Sequence, residues 1–517
     1  MQRLVGVLTR RTITGLFWTA GGRAAHAGLQ LVGLAVMARV VTPAQFGVVS
    51  AALVVIGFSA IFSHLGFGPA LVQRPEIEQR HLDTAFSVAV LCGLLLGTLM
   101  WLGAPAAAEF FRIEEVRPVL RTLAWVFPIQ GLGVAADAVL RRELRFQWLA
   151  NLDIAAYALG YGAVGIGLAL AGWGVWALVA GQMAQTLIRS GALLVRQPPR
   201  LSHPFEVQAF RELVPFAGGF TVAKAANYLA LQGDNLVVGR YLGPQALGFY
   251  GRAYGLMSAP ASSLGTVLDK VLFPAMAKVQ HDAQRLASAY RRGVALIALL
   301  VLAPSAALIV LAPEFIEVVL GPGWAAVVAP FQILAFGTSF RTSSRMSDSL
   351  ARSTGAVYRR AWRQILYAVV VVVGAWVGRH WGVAGVAWGA LAALALNFFL
   401  MAGLSLSLAG MTWATFWRAH IPAVRMMLVA CPMTWITATA LRHWSLPPLI
   451  VLCGAACTAA ATMLVLCQRA PGLFVGPDGL WMLRVLSGFM PQRAGAHRLV
   501  PPTLRPSYQG AAVGGAQ

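Results

Sequence analysis

Three basic residues stand where a basic residue is costly. Arg23, Lys224 and Arg252 all lie inside apolar runs long enough to cross a bilayer. Arg23 falls nine residues into the first such run and Lys224 eleven into the seventh. At 1.5 Å per residue both would sit about 14–17 Å deep, near mid-membrane. Helical spacing extends each position into a polar stripe. Thr19, Arg23, His26 and Gln30 share one face of the first span, and Lys224, Asn227, Tyr228 and Asn235 share one face of the seventh, with Asp234 at its edge. Arg252 lies about seven residues into the eighth span and is a candidate for the upper wall of the same cavity. Field lines focus in a low-dielectric cleft, so unpaired cations there favour phosphate or carboxylate. The competing explanation is structural pairing with buried acids. Asp137, Asp153 and Asp269 lie near cytoplasmic span ends, where snorkelling or local pairing accounts for them. Asp234 is about 15 Å of axial rise from Lys224 and cannot reach it along its own helix. The candidate cavity set is therefore Arg23, His26, Lys224, Asn227, Asp234, Asn235 and Arg252.

Other chemistries find no support in the residues. Cys92, Cys431, Cys453, Cys457 and Cys467 fall in apolar spans, without a C-x-x-C pair or a histidine at zinc spacing, so no metal site is expected. No nucleophile–base pair or phosphate loop survives inspection, and neither an enzyme nor a cofactor is expected.

The elements that must position these residues follow from composition. The chain has 517 residues, of which 58% are hydrophobic and 11% charged, whereas soluble domains are about a quarter charged. The formal charge of +22 would suggest nucleic acid on a soluble domain, but here the basic residues sit in loops between apolar spans. The pattern predicts an all-α polytopic membrane protein. Spans are expected near 14–38, 46–68, 84–106, 119–140, 150–171, 174–195, 213–239, 246–270, 293–313, 325–348, 361–379, 382–405, 421–441 and 446–467. Fourteen spans is the first reading and twelve the alternative. Counted on alternate sides, basic residues divide about 30 against 7, which places both termini in the cytoplasm and favours an even number of crossings. The first apolar run is too long for a cleavable signal and ends without a small-residue cleavage site. Residues 468–517, rich in Pro, Gly and Ala, read as a cytoplasmic tail disordered towards its end.

An internal echo organises the spans. The segment ARVVTPAQFG at 38–47 returns as GRYLGPQALG at 239–248, a shift of 201 that superposes Arg39, Pro43 and Gly47 on Arg240, Pro244 and Gly248. The same shift pairs Arg23 with Lys224. A second echo sets WGV at 173–175, followed by Gly181, against WGV at 381–383, followed by Gly389, at a shift of 208. Duplicated six-helix units in one orientation, with the substrate path between them, are a transporter architecture. The expected divisions are a first bundle at 1–195, a cytoplasmic linker at 196–212, a second bundle at 213–405, an added helix pair at 406–467 and the tail.

The order of short motifs adds a resemblance. TGLFW at 14–18, MARVVTPAQFG at 37–47, LGFGPALVQR at 65–74, LRRELRF at 140–146, GVWALVAGQ at 174–182, DNLVVGRYLG at 234–243 and GFYGRAY at 248–254 run in register. Over about residues 10–405 the chain resembles the polysaccharide-exporting (Wzx-type) branch of the multidrug/oligosaccharidyl-lipid/polysaccharide flippase superfamily. That resemblance implies twelve to fourteen helices in two bundles around a central cavity, working by alternating access in a bacterial inner membrane. It implies undecaprenyl-pyrophosphate-linked oligosaccharide as the substrate class, for O-antigen, capsule or exopolysaccharide assembly. Coupling to a proton or sodium gradient is suggested for relatives, and a polysaccharide polymerase and a chain-length regulator are candidate partners. A cation-coupled drug exporter on the same fold is the rival reading, although such exporters are expected to use intramembrane acids. A scaffold of a polysaccharide synthase complex is a second. A membrane polymerase would be expected to carry a large outer loop, and none is predicted.

Overall fold

The structure is a computed structural model that describes residues 21–22, 25–63, 71, 77–199 and 205–481. Among the described residues every regular element is helical. In chain order these are α1 (Ala25–Val40), α2 (Pro43–Ser63), α3 (Gln79–Phe111), α4 (Val116–Leu123), α5 (Val126–Arg142) and α6 (Phe146–Ala156). A π-helical segment, Tyr157–Gly165, follows α6 and leads into α7 (Ile166–Leu170) and α8 (Val175–Arg196). Then come α9 (Val207–Lys278), α10 (Ala283–Val310), α11 (Ala312–Leu320), α12 (Val328–Phe336), α13 (Thr338–Ser353), α14 (Val357–Gly378), α15 (Gly382–Ala409), α16 (Trp413–His443), α17 (Pro448–Arg469) and the short α18 (Pro471–Phe474). Ten helical stretches among the described residues are long and apolar enough to cross a membrane. The 72-residue α9 is two runs joined at Gly243, whose φ of 84° and ψ of −178° leave the helical region. Pro244 then starts the second run, a position where its missing N–H costs nothing.

Other breaks have equally local causes. Thr42 and Gln45 cap α2 reciprocally: the Thr42 amide donates to Gln45 Oε1 at 3.0 Å, and the Gln45 amide donates to Thr42 Oγ1 at 3.4 Å. Between α4 and α5 the chain loosens at Ala124–Trp125, because Pro128 has no N–H for the Ala124 carbonyl and its ring crowds that turn.

By internal contact the chain falls into two compact units, each built from several segments. The first comprises Met1–Val267, Ala312–Gly337 and Tyr358–Leu400, and the second Leu268–Leu311, Thr338–Val357 and Met401–Gln517. Within the first unit α3 and α5 pack closely through small residues. A Cβ on Gly93 would lie 2.7 Å from the Phe127 carbonyl oxygen and one on Gly131 2.7 Å from that of Ala89, the small-residue contact by which membrane helices approach. At one end of this packing Arg189 donates to Asp153 at 2.8 Å and to Asp137 at 2.9 Å, so two of the acids expected at span ends are paired locally.

Within the second unit α10 packs along α16. The Tyr290 hydroxyl shares a hydrogen bond of 2.8 Å with Ser347 Oγ, and its ring stacks on Phe416 at 6.4 Å. Beyond α18, Asp478 accepts from Arg291 at 3.0 Å, and the Arg292 guanidinium lies 3.8 Å over the Trp481 ring.

Candidate functional site

The two turns paired by the sequence echo meet in space within the first unit. A Cβ on Gly47 would overlap the carbonyl of Pro244, and one on Gly248 would overlap the carbonyl of Pro43. Around them the equivalent arginines act alike. Arg39 donates to the carbonyl oxygens of Ala35 at 2.8 Å and Val318 at 2.6 Å, and Arg240 donates to those of Glu109 at 2.8 Å and Phe110 at 2.5 Å. Val318 lies near the end of α11 and Phe110 near the end of α3, so each arginine satisfies orphan carbonyls at a helix C-terminus, where positive charge is favoured. Phe110 and Val318 are themselves 208 residues apart, the shift of the second echo. Glycines 174 and 382, at equivalent places in that echo, both take positive φ, 52° and 67°.

The described members of the candidate cavity set have different partners. Arg23 lies outside the described residues; Lys224 is placed on α9, and its side chain lies outside the described ones. Asn227 is exposed on α9, while its neighbour Tyr228 donates to the Val54 carbonyl at 2.9 Å. Asp234 is 2% exposed and accepts from the Tyr250 hydroxyl at 2.6 Å and from the Asn235 amide at 2.8 Å. Asn235 is buried too, its side-chain amide donating to Gln232 Oε1 at 2.7 Å. Asp234, Asn235 and Tyr250 thus bind the two runs of α9 to each other across the bend at Gly243.

Arg252 has different company. Its guanidinium lies 4.9 Å over the ring of Phe46, and the phenols of Tyr161 and Tyr157 are its electrostatic neighbours. Its Nε is buried with no hydrogen-bond partner among the described residues. Tyr157 and Tyr161 stack at 5.2 Å with 18° between the rings. Both belong to the π-helical segment, a departure from regular helix that recurs at functional sites. His26 meets Tyr157 edge-on at 5.3 Å, and its Nδ1 is likewise buried without a partner. A cation with no carboxylate beside it among the described residues, next to two phenols, one of which also meets the imidazole of His26, is chemically fit to receive an anion.

Arg252 and His26 are among the residues the sequence singles out, whereas Tyr157, Tyr161 and Phe46, which lie against them, are not. The available signal was slight: two tyrosines four residues apart, with Gly160 between them and Gly162 and Gly165 after, inside an otherwise apolar span.

With this geometry in place the chain can be compared with known proteins. The family model described as polysaccharide biosynthesis protein matches residues 36–329. The teichuronic acid biosynthesis protein TuaB of Bacillus subtilis is 26% identical over 280 residues, 53% of this chain and 57% of that one. The lipopolysaccharide biosynthesis protein WzxC of Escherichia coli is 24% identical over 403 residues, 76% of this chain and 80% of its own length. The match to TuaB therefore spans little more than half of that relative. Among solved structures, an inward closed conformation of the lipid II flippase MurJ superposes with a TM-score of 0.68 at 11% identity, covering 88% of this chain and 99% of that chain. At that identity the likeness establishes the all-helical, multi-pass membrane fold. The match over residues 36–329 takes in both echoed turns and Arg252, and on it the chain belongs to the polysaccharide biosynthesis protein family.

Proposed function

We propose that this protein is a flippase that moves undecaprenyl-pyrophosphate-linked oligosaccharide across a bacterial inner membrane, for exopolysaccharide, O-antigen or capsule assembly. The observation that carries the reading is Arg252: a cation inside an apolar span, stacked on Phe46, with no acid bound to it among the described residues. An intramembrane charge without a protein counter-ion is a functional candidate by default, and a pyrophosphate supplies the missing negative charge. Arg23, Lys224 and His26 are proposed to extend the same anion path. Asn227 is proposed to face it, and Asp234 and Asn235 to hold the bend of α9 beside it.

The proposed topology has both termini in the cytoplasm, up to fourteen crossings, and bundles at 1–195 and 213–405 followed by the pair at 406–467. The meeting of Gly47 with Gly248 then lies at the outer end of the two bundles. Alternating access would require that contact to open, with a proton or sodium gradient as the candidate drive. A polysaccharide polymerase and a chain-length regulator are proposed to receive the product.

The test is complementation of a strain lacking the gene. The reading expects loss of surface polysaccharide, with lipid-linked repeat unit accumulating inside. Arg252→Ala is expected to cut restored export by about tenfold or more, the weight of one charge-assisted interaction, and Arg252→Lys by less. Normal polysaccharide without the gene, and no accumulated intermediate, would sink the flippase reading.

A further inference from the structure

A second feature, sharing no residue with the Arg252 cluster, lies on an exposed face of the first unit. An apolar cavity of about 220 Å³ opens between α3 and the loosened junction of α4 and α5, lined by Leu94, Gly97, Trp101, Trp125 and Pro128, with Thr98 its one hydroxyl. Its rims are open: Leu94, Trp101 and Trp125 are 46%, 45% and 59% exposed. The space is several times the roughly 30 Å³ share of one water, and a wall this apolar offers few of the two to four partners a water needs. Hydrocarbon is the occupant such a wall accepts.

One end of the cavity carries a charge. The Arg121 guanidinium lies 4.4 Å over the ring of Trp101, and its Nε is buried without a hydrogen-bond partner among the described residues. Of the two acids just before α4, Glu114 is engaged by Arg117 at 3.4 Å, and neither Glu114 nor Glu115 forms an ion pair with Arg121 among the described residues. Depth fits the same picture. The midpoint of the 33-residue α3 is residue 95, so Leu94 stands near mid-membrane and Trp101 about 9 Å nearer the Phe111 end. With a hydrocarbon half-thickness of about 15 Å, Arg121 reaches the border where lipid phosphates begin.

We infer that this is a binding site for an anionic phospholipid of the leaflet at the Phe111 end of α3, with one acyl chain in the cavity and the phosphate on Arg121. The sequence provides the shape. Gly97 lets α3 approach to where a Cβ would lie 3.1 Å from the Ala124 carbonyl oxygen, and Pro128 opens the junction that turns Trp125 outward. On the topology proposed above this is the outer leaflet. The site itself does not depend on that topology or on the flippase reading.

Native mass spectrometry of the full-length protein in detergent tests it, with phosphatidylglycerol, phosphatidylcholine and undecaprenyl phosphate as probes. The wild type is expected to retain phosphatidylglycerol over phosphatidylcholine several-fold, because both phosphates can accept from Arg121 but the choline cation of phosphatidylcholine opposes the positive charge there. Arg121→Gln should erase that preference. Thr98→Trp, at an exposed position, should fill the cavity and lower retention of both phospholipids, and Leu94→Trp repeats the filling from another position. Equal retention by the wild type and by every filled variant that keeps the wild-type melting temperature would overturn the site. Displacement of phosphatidylglycerol by equimolar undecaprenyl phosphate would overturn its assignment to a phospholipid.

Discussion

Gly47 and Gly248 close on each other reciprocally: each presses its Cα against the carbonyl of the proline four residues before the other, Pro244 and Pro43. The relationship is that of a local two-fold axis, although the residues are joined only by 201 positions of intervening chain. It explains why the echo in the sequence retains Arg, Pro and Gly in particular. The arginine caps a helix end, the proline starts a helix and supplies the carbonyl, and the glycine leaves room for it.

Adding a side chain at either glycine should therefore cost the same. Gly47→Val and Gly248→Val are each expected to destabilise the protein by about 1–3 kcal/mol or more, since the obstructing atom is backbone and cannot swing aside. A thermal-shift measurement in detergent would show a melting temperature lower by about 2–4 °C per kcal/mol. Valine at 47 tolerated with no shift would contradict the packing.

The arginine caps predict a cooperative effect. Arg39→Ala or Arg240→Ala alone leaves the other helix end capped, whereas the pair frees both. With the five cysteines replaced and Ala44→Cys introduced, a membrane-impermeant maleimide applied to whole cells should label the double variant several-fold faster than either single one. Equal rates in all three would show that the arginines do not hold this contact shut.

The bend of α9 makes a third prediction. Tyr250→Phe removes the hydroxyl that donates to the buried Asp234 carboxylate, so a loss of about 1–3 kcal/mol of stability is expected. Asp234→Asn, which keeps an oxygen acceptor, should cost less. If Tyr250→Phe melts with the wild type, the Tyr250–Asp234 bond adds nothing to the bend.

Gly174 and Gly382 extend the symmetry argument to backbone strain. Both have positive φ after a tryptophan, with ψ of −121° and −155°, outside the left-handed helical well, a conformation that costs a residue with a Cβ about 1–3 kcal/mol. Gly382→Ala, where a Cβ would meet open space, should show that strain alone. Gly174→Ala should cost more, because its Cβ would also meet Gln45 2.5 Å away. The reverse order in a thermal-shift series would argue against equivalent turns.

What was legible in the sequence was local or repetitive. The apolar runs announce membrane helices because the bilayer asks only for length and hydrophobicity of each segment, and Arg39, Pro43 and Gly47 reveal their partners because the same residues recur in order. Arg252 stands out in the sequence by its depth within an apolar run alone. The sequence could not say that Arg252 would lie over Phe46 beside Tyr157 and Tyr161 without a carboxylate among the described residues, whereas Asp234, at the edge of a neighbouring stripe, would be buried under Tyr250. Those outcomes were decided by tertiary structure. Whether a charge is paired or free depends on which helices pack beside it, here α2 and the π-helical segment some 90 or more residues away in the chain. No periodicity within one helix encodes that choice of neighbour.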